Sequence, residues 1–138
     1  MNIRYSVLFF FLFTIGACSD KKDTSPDNAI EAGRVFIRSS LDGDFKTAEK
    51  FILPDTINIQ LFDSYKRYYQ RLPEQQKMNY KKASYEINKL TEQNDSTIIN
   101  YSNSYMQKPM DILVVKNNNN WLVDFKYGYD HADSSNTK

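Results

Sequence analysis

A single cysteine, Cys18, and a single histidine, His131, stand in a chain of 138 residues. That is too few soft or imidazole ligands for a zinc site, and the scattered carboxylates lack calcium-loop spacing. With one cysteine no disulfide can form within the chain, so stability has to come from a packed core. Four glycines provide no Gly-rich phosphate cradle. Charge of neither sign dominates: 18 Lys and Arg stand against 17 Asp and Glu, without the clustered basic excess that nucleic-acid binding uses. The apolar run from Val7 to Phe13 falls short of the ~20 residues of a membrane-spanning helix. These shortages exclude metal, phosphate-loop and nucleic-acid chemistry as first expectations.

What is present at the N-terminus is an export pattern. Arg4 precedes the Val7–Phe13 run, Gly16 and Ala17 follow as small residues, and the chain turns polar from Ser19 to Asp23. Charged, apolar and small segments in that order describe a signal peptide. Ile15-Gly16-Ala17-Cys18 resembles the lipobox of bacterial lipoproteins. The resemblance implies that the Cys18 thiol receives a diacylglycerol and that the signal is cut just before it. Each buried methylene contributes ~0.8 kcal/mol, so two or more acyl chains hold a protein at a membrane almost permanently. The expected organisation is a signal peptide over 1–17, a lipidated Cys18 with a polar tether over 18–25, a folded domain over 26–127 and a polar, disordered tail over 128–138. Ser19 lacks the aspartate that retains many lipoproteins at the inner membrane, so the resemblance implies the outer membrane.

Without residues 1–17 the 138-residue chain retains 121, a single domain's worth. Aromatic residues make up 14% of the sequence, with 10 Tyr and 9 Phe, enough to build a compact core. Ser25 as N-cap, Pro26 at the first position and Asp27 in the first turn predict the start of a helix. Ala29, Ile30, Gly33, Phe36, Ile37 and Leu41 then recur at three- and four-residue steps, up to a stop at Gly43. Asp44 caps a short helix lined by Phe45, Ala48, Phe51 and Ile52, which Pro54 ends. Asp55 opens a third helix along Ile57, Leu61, Phe62, Tyr65, Tyr68, Tyr69 and Leu72, closed by Pro73. Its Tyr65-Lys66-Arg67-Tyr68-Tyr69-Gln70-Arg71 stretch reads as tyrosines packed inward with the bases in water.

The period then changes to two. Ala83, Tyr85 and Ile87 alternate with polar residues, as do Thr97, Ile99, Tyr101, Asn103 and Tyr105 after the turn Gln93-Asn94-Asp95-Ser96. Met110 to Lys116 predicts a third strand. Asn117 to Asn120 predicts a tight turn, because Asn tolerates the left-handed backbone. Trp121, Val123 and Phe125 alternate in a fourth strand, facing the helices, with Asp124 facing out. Helices first and an antiparallel meander afterwards make an α+β fold.

Leu41-Asp42-Gly43-Asp44-Phe45, with Ala48 and Phe51 after it, and the closing Ile112-to-Asp124 hairpin resemble the cone-shaped nuclear-transport-factor-2-like domains. They are similar in particular to small, lumazine-binding-like lipoproteins with a cystatin-like arrangement. The resemblance spans about 27–127 and implies helices packed on a curved four-stranded antiparallel sheet, with a pocket at the open end. In enzymes of such a fold the pocket holds an acidic base and oxyanion donors. Here Asp111 and Asp124 alternate with apolar residues and are expected to face solvent, while His131 lies in the tail. Tyr85, Tyr101 and Tyr105 are the candidate pocket-lining residues, and they suit a small, flat or apolar ligand. No catalytic residue, metal ligand or cofactor is assigned. Three functions follow as alternatives: a membrane-anchored, non-catalytic binding module for such a ligand or an envelope protein, a small isomerase or dehydratase, and a structural envelope component.

Overall fold

The computed structural model describes residues 25–131. The expected signal peptide, the expected lipidation site Cys18, the expected tether as far as Thr24 and the expected tail from Ala132 lie outside the described residues. Four helices come first: α1 (Ala29–Asp42), α2 (Phe45–Glu49), α3 (Thr56–Arg71) and α4 (Glu74–Lys82). Strands β1 (Tyr85–Gln93), β2 (Ser96–Asn103), β3 (Met110–Asn117) and β4 (Asn120–Asp124) follow, and a last helix, α5 (Lys126–His131), closes the described chain. The strands form one antiparallel sheet in the order β1-β2-β3-β4, so the α+β expectation holds. Among the described residues no helix is long and apolar enough to cross a membrane.

α1 lies across the sheet because its apolar stripe is continuous and flat. Ala29, Ala32, Gly33, Phe36, Ile37 and Leu41 are buried on it, and they meet Ile99, Ile112, Val114 and Val123 of the sheet in one cluster. Gly33 sets the distance of approach, since a Cβ there would run into Ile99 Cδ1. The helix starts three residues later than the sequence suggested. Asn28, not Ser25, is the N-cap, with its side chain accepting from the Glu31 amide at 2.9 Å. Both ends then match their chemistry: Gly43 closes α1 at φ 71°, and its amide and that of Asp44 return to the carbonyls of Ser40 and Ser39.

α3 contributes Phe62, only 1% exposed, to a stack of aromatic rings. Phe62 meets Phe125 edge-on at 5.3 Å, and Phe45 meets Tyr69 at 5.0 Å. Ile57 and Tyr68, expected inward, are exposed instead, since eleven residues put them on one face of α3, turned away from Phe62. α4 carries no apolar stripe and no side-chain cap, which is why its sequence does not announce it. Arg38 holds its end in place, with the guanidinium donating to the carbonyls of Lys81 and Ala83 and to Asp42. Ala83 is buried just before β1 rather than within it.

The Asn turn forms as expected, with Asn118 at φ 45° and Asn119 at φ 65°. β4 is not a bare edge. The segment after α2 runs beside it, with Leu53 N donating to Val123 O and Val123 N donating to Phe51 O. This parallel contact at Ile52 and Val123 covers the backbone groups that an edge strand leaves open. Three expectations about the closing strand need correction. Val123 is fully buried, but Trp121 is half-buried at the sheet margin, because it pairs with the exposed Lys116 in the last turn of the hairpin. Asp124 does not face free solvent: Asn58 Nδ2 and Lys126 Nζ both donate to it. Finally, the chain past Tyr127 turns into α5, which packs on β3.

Candidate functional site

A cavity of about 430 Å³ opens where α1, α3 and α5 meet the start of β3 and the loop before it. Each element arrives for a local reason. Asn103, buried at 3% exposure, accepts from the amides of Tyr105 and Met106 at 3.1 and 2.8 Å. That turn, followed by Gln107 at φ 54°, folds Met106, Lys108 and Pro109 over one side of the cavity. On the opposite side α5 lies close to β3, because Gly128 leaves no Cβ to strike the Asp111 carbonyl, 3.2 Å from where one would be.

α5 is positioned by one buried side chain. Asn58 has no exposed surface. Its Nδ2 donates to Asp55 and Asp124, at 2.5 and 3.0 Å, and its Oδ1 accepts from the Lys126 amide at 2.8 Å. The amide therefore ties the first turn of α3 to the junction of β4 and α5. Lys126 Nζ adds an ion pair with Asp124 at 3.1 Å. The hydrogen bonds of Asn58 hold the Asp55 carboxyl below its ordinary value, while Asp124 raises the Lys126 ammonium.

The walls are aromatic and aliphatic: Phe36, Tyr65, Ile112, Phe125 and Tyr129. Polar groups converge on them. Ser40 is 8% exposed and lines the cavity, yet its Oγ has no hydrogen-bond partner. Tyr65 and Tyr101 bring phenol groups with no hydrogen bond to another described residue. Burial holds Tyr65 well above the usual phenol value and pushes Tyr101 up to about 12. Both hydroxyls are therefore neutral donors across the physiological range.

Acidic groups and the histidine also border this space. Asp111 and Asp124 were expected in solvent, and His131 in a disordered tail. All three line the cavity. Asp111 lies on the outer register of β3, opposite Ile112, and accepts from Asn100 Nδ2 at 2.5 Å, so it contributes at the rim. His131 rides on α5, stacked on Tyr127 at 4.0 Å. Its Nδ1 lies 2.9 Å from the Tyr127 carbonyl. A carbonyl can only accept, so Nδ1 is the donor in that bond.

Of the three tyrosines singled out from the sequence, only Tyr101 lines the cavity. Tyr105 falls beyond β2 and packs edge-on against Tyr80 at 4.9 Å. Tyr85 packs against the core cluster instead. The residues that the sequence reading missed, Ser40 above all, carried one readable signal: Ser40 occupies a stripe position of α1, one step from Ile37 and beside Leu41. Among the described residues no group of His, Cys, Asp and Glu is placed to hold a metal ion. No protein-family model matches the chain, and no curated protein and no solved structure matches it either.

Proposed function

We propose that this chain is an envelope lipoprotein, anchored through Cys18 and most at home at the outer membrane. Its nuclear-transport-factor-2-like domain binds a small, flat, largely apolar ligand in the cavity without transforming it. The observation that carries the reading is Ser40: a buried hydroxyl facing an apolar cavity with no partner. An orphaned polar group costs stability on the order of 1–3 kcal/mol, and a ligand that hydrogen-bonds to it recovers that cost. Tyr65 and Tyr101 supply two further neutral donors, so a ligand with one carbonyl or hydroxyl on a flat apolar body fits the lining.

Ser40→Ala separates this role from a structural one. Binding is read with an anilinonaphthalene dye, together with the mass of whatever is carried through purification from native membranes. The substitution should leave thermal stability unchanged or raised, since it removes an unpartnered group. It should also weaken retention of the co-purifying molecule severalfold. Equal retention by Ser40→Ala and the parent would refute the reading.

A second reading, a small isomerase or dehydratase, is favoured by the position of Asp111. Its Oδ1 is held by Asn100, and Tyr101 stands at the same cavity as a neutral donor. A carboxylate base beside a protonated phenol is the arrangement that enolisation uses. Turnover of an added ketone that disappears in Asp111→Asn, while dye binding persists, would move the protein to that class.

A further inference from the structure

The described chain begins at Ser25, and Ser25 Oγ donates to Asn120 Oδ1 at 3.0 Å. That bond ties the start of the domain to the turn between β3 and β4. Around it a second hollow of about 520 Å³ is lined by Pro26, Lys50, Phe51, Pro54, Trp121 and Leu122. Trp121, the only tryptophan of the chain, is half-exposed there. The Lys116 ammonium lies 5.8 Å from its ring centroid. The carboxylate on this surface, Glu49, is already paired with Lys66 at 3.0 Å. A tryptophan flanked by lysine suits a bilayer interface: the amphipathic ring sits at headgroup level and the ammonium meets lipid phosphates.

We infer that the domain rests on the membrane surface with the β3–β4 hairpin and Trp121 against the headgroups, so that the ligand cavity opens away from the bilayer. The inference rests on the anchor at Cys18. Only residues 19–24 separate that cysteine from Ser25, a reach of at most ~25 Å when fully extended. The bond from Ser25 to Asn120 fixes which end of the domain the short tether holds down. β3 then sets the distance between the two ends. Asp111 stands at the cavity and Asn117 at the hairpin, six residue steps or ~20 Å apart along the strand. A ligand therefore reaches the cavity from the aqueous side. It is a molecule delivered through water or by a facing protein, not a lipid sliding in from the anchoring leaflet.

The test reads both ends in one preparation. Acylated protein is reconstituted into vesicles of phosphatidylethanolamine and phosphatidylglycerol, with or without bromine on the acyl chains near the headgroup. Trp121 reports the hairpin. A bimane on Lys108→Cys reports the cavity mouth, and that cysteine is the one reactive thiol once Cys18 carries lipid. Brominated lipid should remove about half of the Trp121 emission, as for rings at the interface, and leave the bimane unchanged. Trp121 emission that is indifferent to bromine in vesicles that retain the protein would overturn the orientation, as would a bimane quenched as strongly as Trp121. Protein that floats free of the vesicles, or whose N-terminal peptide lacks acyl mass, refutes the anchor itself and the orientation with it.

Discussion

Asn58 shows how much a single polar side chain can decide. It is one of the largest fully buried side chains of the domain, in a class otherwise made of Phe, Ile and Val. A buried amide is tolerated only when its donors and acceptor are matched, and here Asp55, Asp124 and the Lys126 amide match them. Asn58→Ala strands the Lys126 amide and takes a donor from two carboxylates, so it should cost ~3 kcal/mol or more. Asp124→Asn keeps the shape but loses the ion pair with Lys126, and should cost a measurable but smaller amount. Denaturant unfolding of the chain beside its Asn58→Ala and Asp124→Asn variants checks the order. Equal and negligible losses would show that the network does not position α5.

At the level of elements, the contact of α1 with the sheet governs how closely the two layers meet. Gly33 sits over Ile99, Ile112 and Val114. Replacing a helical glycine by alanine usually gains up to ~1 kcal/mol from reduced backbone entropy. At Gly33 the new methyl would collide with Ile99, which has no exposed surface and little room to move. Overpacking of that kind costs ~1–3 kcal/mol, so Gly33→Ala is expected to lower the melting temperature in spite of the propensity gain. A thermal melt with an unchanged or raised midpoint would mean that Ile99 takes another rotamer without cost. α4 offers the contrasting case. It has neither stripe nor cap, and it is held by what Arg38 does from another helix.

At the scale of the whole molecule, the tyrosines buried around the cavity predict a response to alkaline pH. An unfolded tyrosine ionises near 10, whereas burial pushes Tyr101 up to about 12 and moves Tyr65 in the same direction. A raised folded value means that the contribution is fully present below pH ~10 and lost as pH climbs towards the folded value. The domain should therefore hold its stability through neutral pH and unfold cooperatively in the alkaline window from about 10 to 12. Tyr101→Phe removes one of these groups, so its alkaline midpoint should move upward. Circular dichroism followed alongside tyrosinate absorbance tests this. A midpoint unmoved by Tyr101→Phe would place the responsible group elsewhere.

What the sequence determines by itself is whatever depends on near neighbours along the chain. The stripe of α1, the caps Asp44 and Asp55, the stop at Gly43, the Asn118-Asn119 turn and the alternation of Thr97, Ile99 and Asn103 in β2 are all local, and all of them stand in the structure. Alternation also fixed the α+β class. The site was less legible, because a cavity is defined by residues far apart in sequence. Tyr101 could be read from its strand phase, but Tyr105 shares that phase and lies past the strand's end, where the Asn103 turn redirects the chain. Asp111 and Asp124 obey their outward register, yet α5 and its Asn58 tie bring them to the cavity. Ser40 reads as one more small residue on a helix face. Only the open space left between α1, α3 and α5 makes its hydroxyl an orphan, because an unsatisfied group is a property of everything that fails to surround it.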